Sequence, residues 1–141
     1  MPRIVDGDNL LGTWPGRLRS DRERRTLARE IATLALRERR RVVVVFDGVA
    51  PPDLRPGSDL LFAGPARSAD DAILETLRGE TDRRGWTVVT NDRSLGDQCR
   101  YLGARVERCD VFRERLVSAR GPEKPDGRDE IDFWSGVFRD E

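Results

Sequence analysis

Histidine is absent from the 141 residues. That gap excludes Ser-His and Cys-His nucleophilic catalysis, along with any zinc site that uses imidazole. Cysteine is scarce as well. Cys99 and Cys109 have neither zinc-ligand spacing nor the density of a secreted disulfide scaffold, and they read as buried free thiols in a reducing compartment. Lysine occurs once, at Lys124, so arginine carries almost all of the positive charge. No apolar run approaches the length of a membrane span. The opening MPRIVDGDN lacks the apolar core of a signal peptide, because a charge and a turn interrupt it almost at once. The expected location is the cytoplasm, with no membrane partner. Net charge is also missing: 26 basic residues balance 26 acidic ones, so no global field draws the chain to a polyanion.

The balance conceals an uneven distribution. Residues 17–41 hold ten arginines against four acids, whereas residues 121–141 hold seven acids against three basic residues. The basic segment is either a solvated helix face or a phosphate-binding surface. Arg17 and Arg19 at its start are candidates for the second role, since a guanidinium binds phosphate through two parallel N–H groups. Apolar residues make up 37% of the chain and are gathered into runs, which predicts one domain with a true core and not a disordered chain.

Five of these runs have strand length: RIV before Asp6, RVVVVF before Asp47, DLLFA before Gly64, WTVVT before Asn91 and ARVERC before Asp110. The second and fourth are apolar on both faces, as central strands of a covered parallel sheet must be. Helix-like segments alternate with them. Residues 20–39 start at a Ser20 cap and place Leu27, Ile31, Leu34 and Ala35 on one stripe. Residues 68–78 start at Ser68 with Asp71 three positions on, an acidic form of the capping box. Residues 94–102 and 110–118 are shorter and are read as similarly capped. PPDLRPG, residues 51–57, is a loop. Alternating strands and helices predict an α/β doubly wound sheet. The expected domain covers residues 1–120, and 121–141 form an acidic tail. In that tail GPEKPDGRDE reads as a linker, and IDFWSGVF as a docking element or a final helix packed on the body.

In an open parallel sheet, ligands bind beyond the carboxyl ends of the strands. Carboxylates and amides collect at those places in this sequence. The first run delivers Asp6, with Asp8 and Asn9 following on a glycine turn, and the second delivers Asp47. The fourth delivers Thr90, Asn91 and Asp92, with Arg93 and Ser94 opening a helix, and the Ser68 helix carries Asp70 and Asp71 in its first turn. Each aspartate alone is explained as a turn former or a cap. Four on one edge repel each other, and a divalent cation lets such a cluster persist. Oxygen ligands without histidine or cysteine favour Mg²⁺ or Mn²⁺ over zinc. The candidate ligands are Asp6, Asp47, Asp70, Asp71 and Asp92, a set suited to metal-assisted phosphoryl chemistry. Arg93 is a further candidate contact to a scissile phosphate. Gly7 and Gly12 form neither a P-loop nor a dinucleotide fingerprint.

IVDGDNLLGTWP resembles the opening of YacP-like NYN domains, part of the wider PIN-like nuclease group. VVVVFDG, SADDAI and VVTNDRSL are similar to that family's second-strand, helix-start and fourth-strand motifs, and the order agrees over residues 3–118. The resemblance implies a PIN-like three-layer α/β/α fold with a parallel sheet of about five strands in the order 3-2-1-4-5. It also implies a divalent-metal endoribonuclease acting on single-stranded RNA, with messenger RNA at the ribosome as one setting. By position, Asp6, Asp47, Asp70 and Asp92 become the acidic site and Asn9 an orienting amide. Thr90, Asn91 and Ser94 then assist by hydrogen bonding. Asp8 departs from the family, standing where a tyrosine is usual. A non-catalytic RNA-binding or ribosome-associated module that keeps the acidic pocket is the alternative. A toxin-like protein docking through IDFWSGVF is a third reading, although toxin-type PIN chains open differently from IVDGDN.

Overall fold

Two strands without a solvent face set the centre of the molecule. In the computed structural model, which describes residues 1–119, β1 (Arg3–Asp6) is buried along its whole length. After α1 (Gly7–Gly12) and α2 (Asp21–Glu38) the chain enters β2 (Val42–Phe46), which is equally buried. The remaining elements are β3 (Leu60–Phe62), α3 (Ala69–Arg78), a 3₁₀ turn at Arg83–Gly85, β4 (Thr87–Val89), α4 (Arg93–Tyr101), β5 (Arg105–Glu107) and α5 (Cys109–Ala119). The strands form one sheet in the order β3-β2-β1-β4-β5, with every ladder parallel. Ile4 stands opposite Val43 on one side and Val88 on the other. This is the expected three-layer arrangement. Among the described residues no helix is long and apolar enough to cross a membrane. The proposed tail 121–141 and its boundary at residue 120 lie outside the described residues.

Strand alternation sorts the core into two layers. Val5, Val44, Phe46 and Val89 pack with Leu27, Ile31 and Leu34 of α2 and with Phe112 and Leu116 of α5. Ile4, Val43, Val45 and Val88 point the other way, onto Ile73 and Leu77 of α3 and Leu95 and Cys99 of α4. The three anchors of α2 are buried and Ala35 is half-buried at the margin, as the stripe predicted. Each such large aliphatic side chain contributes about 1.5–3 kcal/mol when fully buried. Ser20 caps α2, its Oγ accepting from the Glu23 N–H at 3.1 Å. Ser68 caps α3 through the capping box, accepting from the Asp71 N–H at 3.2 Å while its own N–H donates to Asp71 Oδ2 at 3.5 Å.

Two local expectations are corrected. The DGDN stretch is helical and not a turn: Asp6 ends β1 and α1 begins directly at Gly7. A helical turn carries both Leu10 and Leu11 into the core, where each is fully buried, and that burial outweighs the turn preference of Asp-Gly. Gly7 permits the close approach. A β-carbon there would lie 2.6 Å from the Phe46 ring at Cδ1 and 3.0 Å from Val44 Cγ2. The second correction concerns α4, which is capped by Asp92 and not by Ser94. Asp92 Oδ1 accepts from the Leu95 N–H at 3.1 Å, and Ser94 is the second residue of the helix.

Gly7→Ala should therefore destabilise the chain by about 1–3 kcal/mol through overpacking. Gly57→Ala, with nothing within 4 Å of its added carbon, should stay within about 0.5 kcal/mol of the parent. Urea unfolding of the two variants and the parent provides the comparison. Equal midpoints for Gly7→Ala and the parent would contradict the packing account.

Candidate active site

β1 lies at the point where the sheet reverses its winding. The α2 crossover from β1 to β2 covers one face and the α4 crossover from β4 to β5 the other. Chain segments diverge there and leave a crevice at the carboxyl ends of the strands. Asp6 ends β1 in that crevice and is only 5% exposed. The Thr90 hydroxyl, 2% exposed just beyond β4, donates to Asp6 Oδ2 at 3.0 Å and accepts from the Asp92 N–H at 3.0 Å. A hydroxyl has one proton to give, and the shorter contact assigns it to Asp6 and not to Asn9 Oδ1 at 3.4 Å.

The helical turn at Gly7–Gly12 spreads its first side chains over both neighbouring strands. Asp8, on the β2 side, accepts from the Asp47 N–H at 2.8 Å and pairs with Arg24 Nε at 2.8 Å. Arg24 remains protonated, because the Asp8 and Asp21 carboxylates outweigh its partial burial. Asn9, on the β4 side, accepts from the Asn91 N–H at 2.7 Å and from the Cys109 thiol at 3.3 Å. Asn91 Oδ1 in turn accepts from the Cys109 N–H at 2.8 Å, so Asn9 and Asn91 brace β4 against the start of α5. Both cysteines are buried and free, and burial pushes each thiol up to about 11.

Asp6, Asp47 and Asp70 lie close enough for their charges to act on one another. Burial, then the charges of Asp70 and Asp47, push the Asp6 carboxyl up to about 7, while the Thr90 bond and the Asn9 backbone pull the other way. Asp70, in the first turn of α3, is raised by partial burial and then by the charges of Asp92, Asp47 and Asp71. Among the described residues no arginine pairs with Asp6, Asp47, Asp70 or Asp92, and the Asp70 carboxylate accepts no hydrogen bond. A half-buried carboxylate left in this state, beside two others, is chemically suited to a hard divalent cation. As they stand, however, no three or more acidic or cysteine side chains among the described residues are drawn together tightly enough to hold an ion.

Asp47 Oδ1 accepts from the Ala69 N–H at 2.8 Å, tying the end of β2 to the start of α3. Asp71 is exposed and engaged in the capping box. Ser94 is exposed, and its hydroxyl makes no hydrogen bond among the described residues. Arg17 stacks 4.4 Å over the Trp14 ring and bonds Glu23 at 2.8 Å and Glu30 at 2.9 Å, so its charge holds the loop onto α2. Arg19 lies over Gly12 at the end of α1. Arg93 is exposed beside Asp92. Sequence reasoning missed Arg24 and the N–H of Ala69. No local pattern pairs Asp8 with an arginine 16 residues on, or an aspartate with a backbone group 22 residues away.

A five-stranded parallel sheet in this order, with carboxylates from separate segments gathered on its carboxyl lip, is the layout of an RNase-like nuclease domain. The sequence narrows the class further: the chain belongs to the YacP-like NYN domain family, which it matches over residues 3–129. Among solved structures it is similar to Rae1 (YacP) from Bacillus subtilis, with a TM-score of 0.73 and 19% identity over 85% of this chain and 75% of that one. The W164L mutant of the same protein gives a TM-score of 0.71 and 21% identity over 85% and 76% of the two chains. At these identities the likeness is one of fold. No curated protein matches the chain.

The charge of Asp6 sets a pH dependence for stability. Its folded pKa, about 7, lies above the ordinary 3.8, so between those limits the folded state binds more protons than the unfolded one. Stability should thus fall as pH rises from about 4 to about 7, then level off. Asp6→Asn should remove most of that decline and unfold at higher urea than the parent at pH 8. Parallel pH profiles for the two proteins would show that Asp6 is not the source.

Proposed function

We infer that the chain is a Mg²⁺- or Mn²⁺-dependent endoribonuclease that hydrolyses phosphodiester bonds in single-stranded RNA. The observation that carries this reading is the uncompensated negative charge at the switch point of the sheet, where Asp6 is pushed up to about 7 and no arginine pairs with Asp6, Asp47, Asp70 or Asp92 among the described residues. Membership of the YacP-like NYN family supports it. Asp6, Asp70 and Asp92 would hold the ion, with Asp47 at their border and Asp71 on the outer side. When bound, such an ion polarises a phosphoryl oxygen and lowers the pKa of a water ligand.

The remaining roles fall to groups of the chain itself. Thr90 fixes the Asp6 carboxylate by donating to Oδ2, and Asn9 and Asn91 keep the Asp92 segment in register with β1. Arg93, exposed next to Asp92, would meet a phosphate, and Arg19, exposed over Gly12 at the end of α1, would be a second contact. Arg17 contributes by anchoring its loop and not by direct contact. Two surface hollows, lined by Trp14, Pro15 and Arg113 and by Asp82, Arg83 and Tyr101, contain none of these carboxylates. A polymer laid across the sheet edge suits this arrangement better than a small enclosed ligand. The ribosome is a proposed partner, and its addition should raise cleavage if it presents the RNA.

A second reading, a non-catalytic RNA-binding module, is favoured by one observation: the acidic side chains do not by themselves form a ligand cage. Incubation of the full chain with labelled single-stranded RNA and Mn²⁺ separates the two. The enzyme reading expects fragments with fresh 5′-phosphates. Asp6→Asn or Asp92→Asn should slow their appearance at least about a hundredfold, since charge stabilisation of several kcal/mol is at stake. Cleavage by the doubly substituted protein at the parent rate would sink the enzyme reading, and salt-sensitive binding without products would favour the module.

A further inference from the structure

Asp8 has no place in the chemistry outlined above, yet it is 4% exposed and carries a charge. A buried carboxylate is retained at such a position when its partners depend on it. Its two oxygens have different partners. Oδ1 accepts from Arg24 Nε of α2 at 2.8 Å, and Oδ2 accepts from the backbone N–H of Asp47 at 2.8 Å. Asp47 continues the chain of bonds, since its Oδ1 accepts from the N–H of Ala69 at 2.8 Å. Ala69 is the first residue of α3, and Asp70 follows it. Three segments far apart in sequence are thereby joined in a single line: α2, the end of β2 and the start of α3.

We propose that Asp8 is a positioning residue for the acidic edge, setting the place of Asp70 through the Asp47 backbone, the Asp47 carboxylate and the Ala69 N–H. This rests on the reading of the site as a nuclease centre. The charge of Asp8 is neutralised within the fold by Arg24 and does not add to the repulsion among the site carboxylates. Asp47 in turn acts on Asp70 through the backbone of α3 as well as through its charge. The Asp8 carboxylate is a forked acceptor that binds a strand end and a helix at once.

Amide hydrogen exchange of the full chain, followed by NMR, reads the line directly. In Asp8→Ala the Asp47 amide should lose protection, and the Ala69 amide should exchange at least tenfold faster, although Ala69 does not touch residue 8. Asp8→Asn, with one oxygen shared between two donors, should give an intermediate rate at least threefold above the parent. It carries the test if Asp8→Ala does not fold. Arg24→Met is the control for general loosening: it should lower the thermal midpoint but leave Ala69 exchange within twofold of the parent. With RNA and Mn²⁺, Asp8→Ala should lose at least tenfold in kcat with KM within twofold, and Asp8→Asn should recover most of that loss. The proposal is overturned if Ala69 protection is unchanged in both Asp8 variants. It is equally overturned if Arg24→Met speeds Ala69 exchange as much as Asp8→Ala does, or if kcat is unaffected when Ala69 protection is lost. Should the parent chain cleave no RNA, the nuclease reading fails while the exchange rates still decide whether the line of bonds exists.

Discussion

The site depends on one helical turn that begins without a spacer at the end of β1. Because α1 starts at Gly7, the side chains of Asp6, Asp8 and Asn9 leave the backbone about 100° apart in direction per residue. Asp6 stays at the end of its own strand, Asp8 reaches the end of β2, and Asn9 reaches the end of β4. The three central strand ends are thus fastened to one another by three side chains within four consecutive residues. This arrangement needs a backbone that can press against Phe46, which is why a glycine stands at position 7. Strand, turn and neighbouring ring form one packing unit, and the carboxylates inherit their positions from it.

The charges are then divided into two classes. Asp8 is neutralised by Arg24, and Asp59, Asp53 and Asp97 pair with arginines at the surface. Exposed pairs of the latter kind contribute little to stability. Asp6, Asp47, Asp70 and Asp92 are left without a cationic partner among the described residues, though arginine is abundant throughout the chain. Burial, and then the charges of the neighbouring carboxylates, raise the pKa of Asp6 and Asp70, which lowers stability near neutral pH. Sites that trade stability for function have this character.

Much of this was legible in the sequence, for reasons that differ by element. VVVVF has no polar face, so its central position follows from burial alone. Ser20 and the Ser68–Asp71 box announce helix starts through local bonds three residues apart, and both bonds are present. The gathering of strand-end carboxylates on one lip follows from strand direction. By contrast, α1 is six residues long and bounded by glycines, too short for a helical period to emerge against the turn preference of Asp-Gly. In α4 a serine stands where a cap is expected, but an aspartate two residues earlier accepts the bond. Arg17 looked available for phosphate because its carboxylate partners, Glu23 and Glu30, become neighbours only once α2 is formed. Local chemistry is written in the sequence, whereas long-range pairing is created by the fold.

The all-parallel ladder also has a bearing on how the chain is made. Among the described residues no two adjacent strands are joined by a hairpin, and Asp6 must wait for Thr90, 84 residues later, to receive its hydrogen bond. Pairings of such separation are slow to form. During synthesis β1 emerges before β4, and its edge on the β4 side, a row of unpaired backbone N–H and C=O groups, remains without a neighbour until most of the domain has left the ribosome. The nascent chain therefore passes through a vulnerable interval, with its central strand half-paired and the acidic lip incomplete.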